Sequence, residues 1–176
     1  MYKTISLLLI STLFFFSSCG PSRDKSVKMI RGVEQRLFSP EAVNFDKAKA
    51  DSLLHLYEAF IQAHPKDSLA PGFLFKAASL AMNMNDGKKA IAFFDQYTTS
   101  YPEGPKAAIC LFFKAFIYEN LLKDLGKAKD TYLLFIKRYP NDEFADDAQL
   151  AIQNLGKTPD QMVREFEAKR KADSLK

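Results

Sequence analysis

No tryptophan occurs in this 176-residue chain, and histidine and cysteine occur only twice each. His55 and His64 stand nine residues apart, and neither has a Cys or second His at the spacing of about three or four that a helical zinc pair needs, so no metal is expected. His64 falls instead at a predicted helix end, where a partly charged imidazole suits the dipole. Glycine is scarce, at 7 residues, and none of it forms a phosphate-cradling loop or a Gly-x-Ser-x-Gly elbow. The acidic pairs Asp146-Asp147 and Glu165-Glu167 occupy adjacent or exposed helix positions and read as solvated surface. No enzyme, cofactor or small-molecule substrate is expected. Nucleic acid is not an expected partner either, because the net charge is only +4 and the two signs are interspersed.

The long apolar runs are confined to the start. After Lys3, residues 5–16 are apolar except for Ser6, Ser11 and Thr12. About a dozen residues is too short for a membrane span of roughly 20 but suits a signal-peptide core. Ser17, Ser18 and Cys19 follow. This ending resembles a bacterial lipoprotein signal, which implies cleavage after residue 18 and acylation of Cys19. An ordinary signal cut elsewhere would leave Cys19 a spare thiol. Cys110 lies between Ile109 and Leu111 in an apolar helix and reads as a small buried hydrophobe; a Cys19–Cys110 disulfide is the alternative. On this reading residues 1–18 are the signal, 19–26 a lipidated tether and 27–176 one domain, whose net charge falls to +3 once Lys3 is removed. Surface-exported lipoproteins of the Bacteroidetes group carry an acidic cluster after the cysteine, whereas here Asp24 stands alone between Arg23 and Lys25. With Gly20 after the cysteine, the resemblance implies a cell-envelope protein anchored in the outer membrane and facing the periplasm.

From Phe73 to Pro140 one pattern is written twice. Lys76 matches Lys114, Ala77 matches Ala115, Asp86 matches Asp124, Ala90 matches Ala128, Phe94 matches Tyr132 and Pro102 matches Pro140, each pair 38 residues apart. A fixed period of this size is the signature of a solenoid. Helical periodicity predicts elements over about 27–38, 46–63, 71–85, 88–100, 105–123, 127–138 and 142–155, with a further start at Ser39-Pro40-Glu41 and a last helix after Thr158 that frays beyond Ala168. His64-Pro65, Tyr101-Pro102 and Tyr139-Pro140 stop helices because a residue before proline is driven from helical angles. Asp86-Gly87 closes its helix because glycine reaches left-handed angles cheaply, and Leu125-Gly126 reads as a turn. Met162, Val163 and Phe166 give the last helix an apolar face. No alternating strand pattern is present, so the expected class is all-α, a solenoid of about three helix-turn-helix repeats with flanking helices.

The small Ala, the aromatic four residues on and the proline twelve residues on resemble the tetratricopeptide repeat. Leu53, Tyr57 and Pro65 keep that spacing one repeat earlier. The ends FIQAHPKD, YTTSYPEG and FIKRYPND resemble the subgroup that includes the barrel-assembly lipoprotein BamD and the periplasmic coordinator of the Tol–Pal system. The resemblance implies a protein–protein scaffold in the envelope. A ligand-binding lipoprotein serving an outer-membrane transporter is the alternative; relatives of that kind bind sugars through exposed tryptophan, which this chain lacks. The first helices of the two clear repeats are apolar nearly all round. Phe75, Met82, Phe113 and Ile117 fall off the Ala-marked face, and they are either buried between repeats or line a groove for a partner segment. In the groove case Asn83 and Asn120 are candidates to hydrogen-bond the partner's backbone.

Overall fold

The computed structural model describes residues 21–40 and 45–174. The described residues form eight helices and no strand: α1 (Arg23–Leu37), α2 (Lys47–Ala63), α3 (Ala70–Asn83), α4 (Gly87–Ser100), α5 (Ala107–Asn120), α6 (Leu125–Arg138), α7 (Ala145–Asn154) and α8 (Pro159–Asp173). Each helix from α1 to α6 packs on the next, which is the chain of neighbours that a solenoid requires. Three pairs, α1/α2, α3/α4 and α5/α6, are followed by α7 and α8. The expected all-α solenoid is what the chain forms.

The same local devices recur in each pair. Asp46, Asp86 and Asp124 cap the second helices, each accepting the backbone N–H three residues on at 3.0 Å. His64, Tyr101 and Tyr139 end them, with φ between −136° and −130°, and each donates its backbone N–H to the aromatic residue four places back. The turns that follow close identically, through Asp67, Gly104 and Asp142 donating to the carbonyls of His64, Tyr101 and Tyr139 at 3.0, 2.9 and 3.2 Å. Ala77, Ala90, Ala115 and Ala128 are fully enclosed, as close helix approach demands. Between them, Tyr57, Phe94 and Tyr132 form one buried aromatic series and Phe60, Tyr97 and Phe135 another. Burying each such ring stabilises the fold by about 1.5–3 kcal/mol.

The interior divides into two clusters that meet at α5. Ala107, Cys110 and Ile117 belong to the first, with α1 to α4, whereas Leu111 and Ala115 belong to the second, with α6 and α7. Cys110 is the small buried hydrophobe its neighbours suggested, and burial pushes its thiol up to about 12.

Several local expectations need correction. Gly87 and Gly126 are not left-handed turn residues but lie inside the first turns of α4 and α6. The left-handed angles are taken by Asn85 (φ 59°) and Lys123 (φ 55°). Gly87 has a different reason to be glycine: a Cβ there would stand 3.1 Å from Ile117 and 3.2 Å from Leu121 and Leu122. Polar residues expected in the tether are helical from Arg23 onward. That end is fastened by the Arg23 guanidinium, which donates to both carboxylate oxygens of Asp67 at 2.6 and 3.2 Å. The helix start expected at Ser39-Pro40-Glu41 runs into residues outside those described, and α2 itself starts behind Asp46. Gly156 does end the α7 region, with φ 78°. Thr158 and Gln161 form a reciprocal cap on α8, which stays helical to Asp173 rather than fraying at Ala168. The apolar face of α8 is uncovered: Met162, Val163 and Phe166 are 37, 56 and 66% exposed.

Candidate partner-binding cleft

First helices of successive pairs lie side by side, and a cleft of about 550 Å³ opens between α1 and α3. Arg31, Glu34, Gln35 and Phe38 form one wall, Phe75, Lys76, Ser79, Leu80 and Asn83 the other, and Tyr57 of α2 the floor. One carboxylate organises it. Glu34 Oε1 accepts the Tyr57 hydroxyl at 2.6 Å and the Lys76 ammonium at 2.8 Å. A buried phenol needs such a partner, and Tyr57 is only 1% exposed. Burial first, and the hydrogen bond to Glu34 second, drive its hydroxyl well above the usual tyrosine range. Tyr132 reproduces the arrangement in the third pair by donating to Glu119 at 2.9 Å.

Glu34 and Lys76 neutralise one another, whereas Arg31 has no carboxylate partner among the described residues. The cleft therefore pairs an aromatic floor with one uncompensated positive charge on its rim. Phe38, beyond the end of α1, is 59% exposed at the mouth. Among the described residues no three His, Cys, Asp or Glu side chains converge as a metal site. His64 caps α2 as expected, its ring lying 5.0 Å from that of Phe60.

The predicted binding residues separate into three groups. Phe75 and Asn83 line the cleft. Phe113 extends its wall on α5, since its ring stacks on Phe75 at 6.5 Å and both rings meet Phe94; Met82 is half-buried against the first cluster. Ile117 and Asn120 do not join them. Ile117 is fully enclosed where α5 passes Gly87, and Asn120 is exposed elsewhere, with its amide donating to Phe116 of its own helix at 3.1 Å. Periodicity alone left out Arg31, Glu34, Gln35 and Phe38, because α1 precedes the repeated stretch, and it marked Tyr57 as a packing residue of the repeat rather than as the floor of a cleft. The one available hint was Lys76, which set the register of the repeat. Cys19 lies outside the described residues.

Two successive stretches, residues 73–104 and 110–142, match the tetratricopeptide repeat family. These two stretches are repeats of tetratricopeptide type. The first match runs from α3 through the turn after α4, and the second from α5 through the turn after α6. The α1/α2 pair, outside the matched residues, has the same aspartate cap, aromatic series and closing turn, so it stands as a third helix pair of tetratricopeptide type. No curated protein matches the chain. Repeats of this type serve as interaction scaffolds, and in this chain the cleft lies between the first helices of the unmatched pair and the first matched repeat.

Proposed function

We propose that this protein is a lipid-anchored scaffold of the cell envelope that holds a segment of a partner protein in the cleft between α1 and α3. The observation that carries the reading is the cleft itself: an aromatic floor, two exposed polar side chains at Asn83 and Gln35, and a rim that α1 adds to the repeats. Helix grooves of this kind take an apolar anchor and fix its direction through a few polar contacts. The lipoprotein-like ending at Cys19 supports the anchoring half of the reading. It implies the outer membrane, with the domain facing the periplasm.

A photo-crosslinker placed at Ser79, which lines the cleft, tests the scaffold. The expected result is one discrete protein adduct in living cells that disappears in a Phe75→Glu variant with unchanged circular dichroism. Absence of any adduct, together with a thermal shift on adding small metabolites, would overturn it in favour of ligand capture, for which a 550 Å³ volume is also large enough. Incorporation of labelled palmitate, lost in Cys19→Ala, tests the anchor separately.

A further inference from the structure

The outward face of α1 is basic, and it begins very close to the proposed lipid attachment. Lys25, Lys28, Gly32 and Arg36 fall on that face at spacings of three or four, and Met29, 42% exposed, lies beside them. None of the three cations has an ion-pair partner among the described residues. The helix has two acids, and both are engaged elsewhere: Asp24 with Arg23 at 3.1 Å, and Glu34 inside the cleft with Tyr57 and Lys76. Gly32 puts no side chain between the cations, and the Arg36 guanidinium folds back over it, 3.9 Å from where a Cβ would stand.

Chain length adds a second observation. Only three residues, 20–22, separate Cys19 from the start of α1 at Arg23. Four Cα steps reach at most about 14 Å, close to the distance of about 8–10 Å over which charges act through physiological salt. A helix of 15 residues is about 22 Å long, so its whole basic face can lie down beside the anchor.

We propose that the face formed by Lys25, Lys28, Met29 and Arg36 docks on anionic phospholipid headgroups and orients the domain on the bilayer. This rests on the anchoring half of the proposed function, and it adds an electrostatic signal to the acyl chains. A lipid chain fixes attachment but leaves the domain free to swing, whereas a lipid chain with a basic patch fixes its attitude. The cleft shares α1 as a wall, so its mouth would open beside the lipid, toward segments that emerge from the membrane.

The full-length protein is reconstituted in vesicles of phosphatidylcholine alone, or of phosphatidylcholine with phosphatidylglycerol, each containing headgroup-spin-labelled lipid. A fluorophore is attached at Met29→Cys and, separately, at Glu143→Cys in the exposed turn after α6. Cys110, fully buried, does not compete for the label. The Met29 reporter is expected to be quenched several-fold more in the anionic vesicles. That excess should vanish in high salt and in a Lys25→Glu, Lys28→Glu, Arg36→Glu variant with an unchanged melting temperature, while the Glu143 reporter stays insensitive to lipid charge. Equal quenching of the Met29 reporter in both vesicles, or indifference to charge reversal, overturns the proposal. The parent chain, carrying no added cysteine, is labelled in parallel. Reaction at Cys19 would overturn the anchoring reading and leave lipid-charge dependence to judge the basic face.

Discussion

Exchanging the chemistry of one turn tests whether the three pairs use interchangeable parts. After α2 and α6, the backbone N–H groups of Leu69 and Phe144 are accepted by the carboxylates of Asp67 and Asp142 at 2.9 and 3.0 Å. After α4 the equivalent N–H, on Lys106, is accepted at 3.2 Å by the Tyr97 hydroxyl, and the aspartate's place is taken by Gly104. The two differences belong together: a Cβ on Gly104 would stand 2.8 Å from that hydroxyl. Gly104 does not use a left-handed angle, so only space keeps a side chain out. Tyr97→Phe should cost about 1 kcal/mol through the lost bond to a part-buried N–H. Gly104→Asp alone should cost about 1–3 kcal/mol through overpacking. The double variant recreates the neighbouring turns, which have Phe60 or Phe135 with Asp67 or Asp142, and should return to within about 0.5 kcal/mol of the parent. The tight approach to the Tyr101 carbonyl does not prevent this, because the same closing bond coexists with aspartate in both sister turns. The coupling would then be about 2 kcal/mol, a shift of about 4–8 °C for a chain of this size. Urea unfolding of the four proteins, followed by circular dichroism, measures it. Strict additivity would refute the equivalence of the turns.

Other outcomes follow from the same geometry. Gly126→Ala should stabilise by about 0.5–1 kcal/mol in thermal melts, since a helical Cβ there meets nothing nearer than 3.7 Å, whereas Gly87→Ala must displace Ile117, Leu121 and Leu122 and should destabilise. Lys123→Gly should stabilise by up to about 1 kcal/mol, because Lys123 holds a left-handed angle at a cost glycine does not bear. The Asp67 carboxyl is held low by the Arg23 guanidinium, Asp46 by its bond to Lys49, and Asp124 by the backbone N–H and ammonium of Lys127. Their folded pKa values lie below the unfolded ones, so their contribution is complete above the ordinary carboxylate range near about 4 and is lost as pH falls through the depressed values. Melting temperatures titrated downward from neutral pH should fall only on the acid side, with a shallower fall in Asp67→Asn. Cys110 should resist thiol reagents at neutral pH until the chain unfolds, as its buried thiol is pushed up to about 12.

Much of this architecture is legible in the sequence because packing writes itself at fixed intervals. The alanines of close approach and the helix-stopping prolines recur with the period, so helix number and pairing could be read directly. Glycine misled for a physical reason. Near a helix boundary it can serve either a left-handed angle or a close contact, and the distinction rests on Ile117, thirty residues from Gly87 along the chain. For Ile117 both burial and groove lining stood open, because a wheel shows which side of a helix is apolar but not whether another helix covers it; here one does. The cleft was the least readable feature. It depends on Glu34 meeting Tyr57 and Lys76 across 23 and 42 residues, from a helix that does not share the repeat.

The position of α5 between two clusters sets how the protein comes apart. Were α6 and α7 to detach, the first cluster would keep Ala107, Cys110 and Ile117, and α5 would become its terminal helix, with Leu111 and Ala115 turned to water. Loss of α1 would instead take Glu34 from the buried Tyr57 hydroxyl and strip Val27, Ile30 and Leu37 from the larger cluster. The easier rupture is therefore at the α6–α7 end, beside an α8 whose apolar face is exposed. Amide protons of α6 and α7 should exchange by a partial opening that leaves α2 to α4 protected. A protease that begins at that end would release a shorter fragment with the cleft intact, so the proposed recognition site would outlast the integrity of the whole chain.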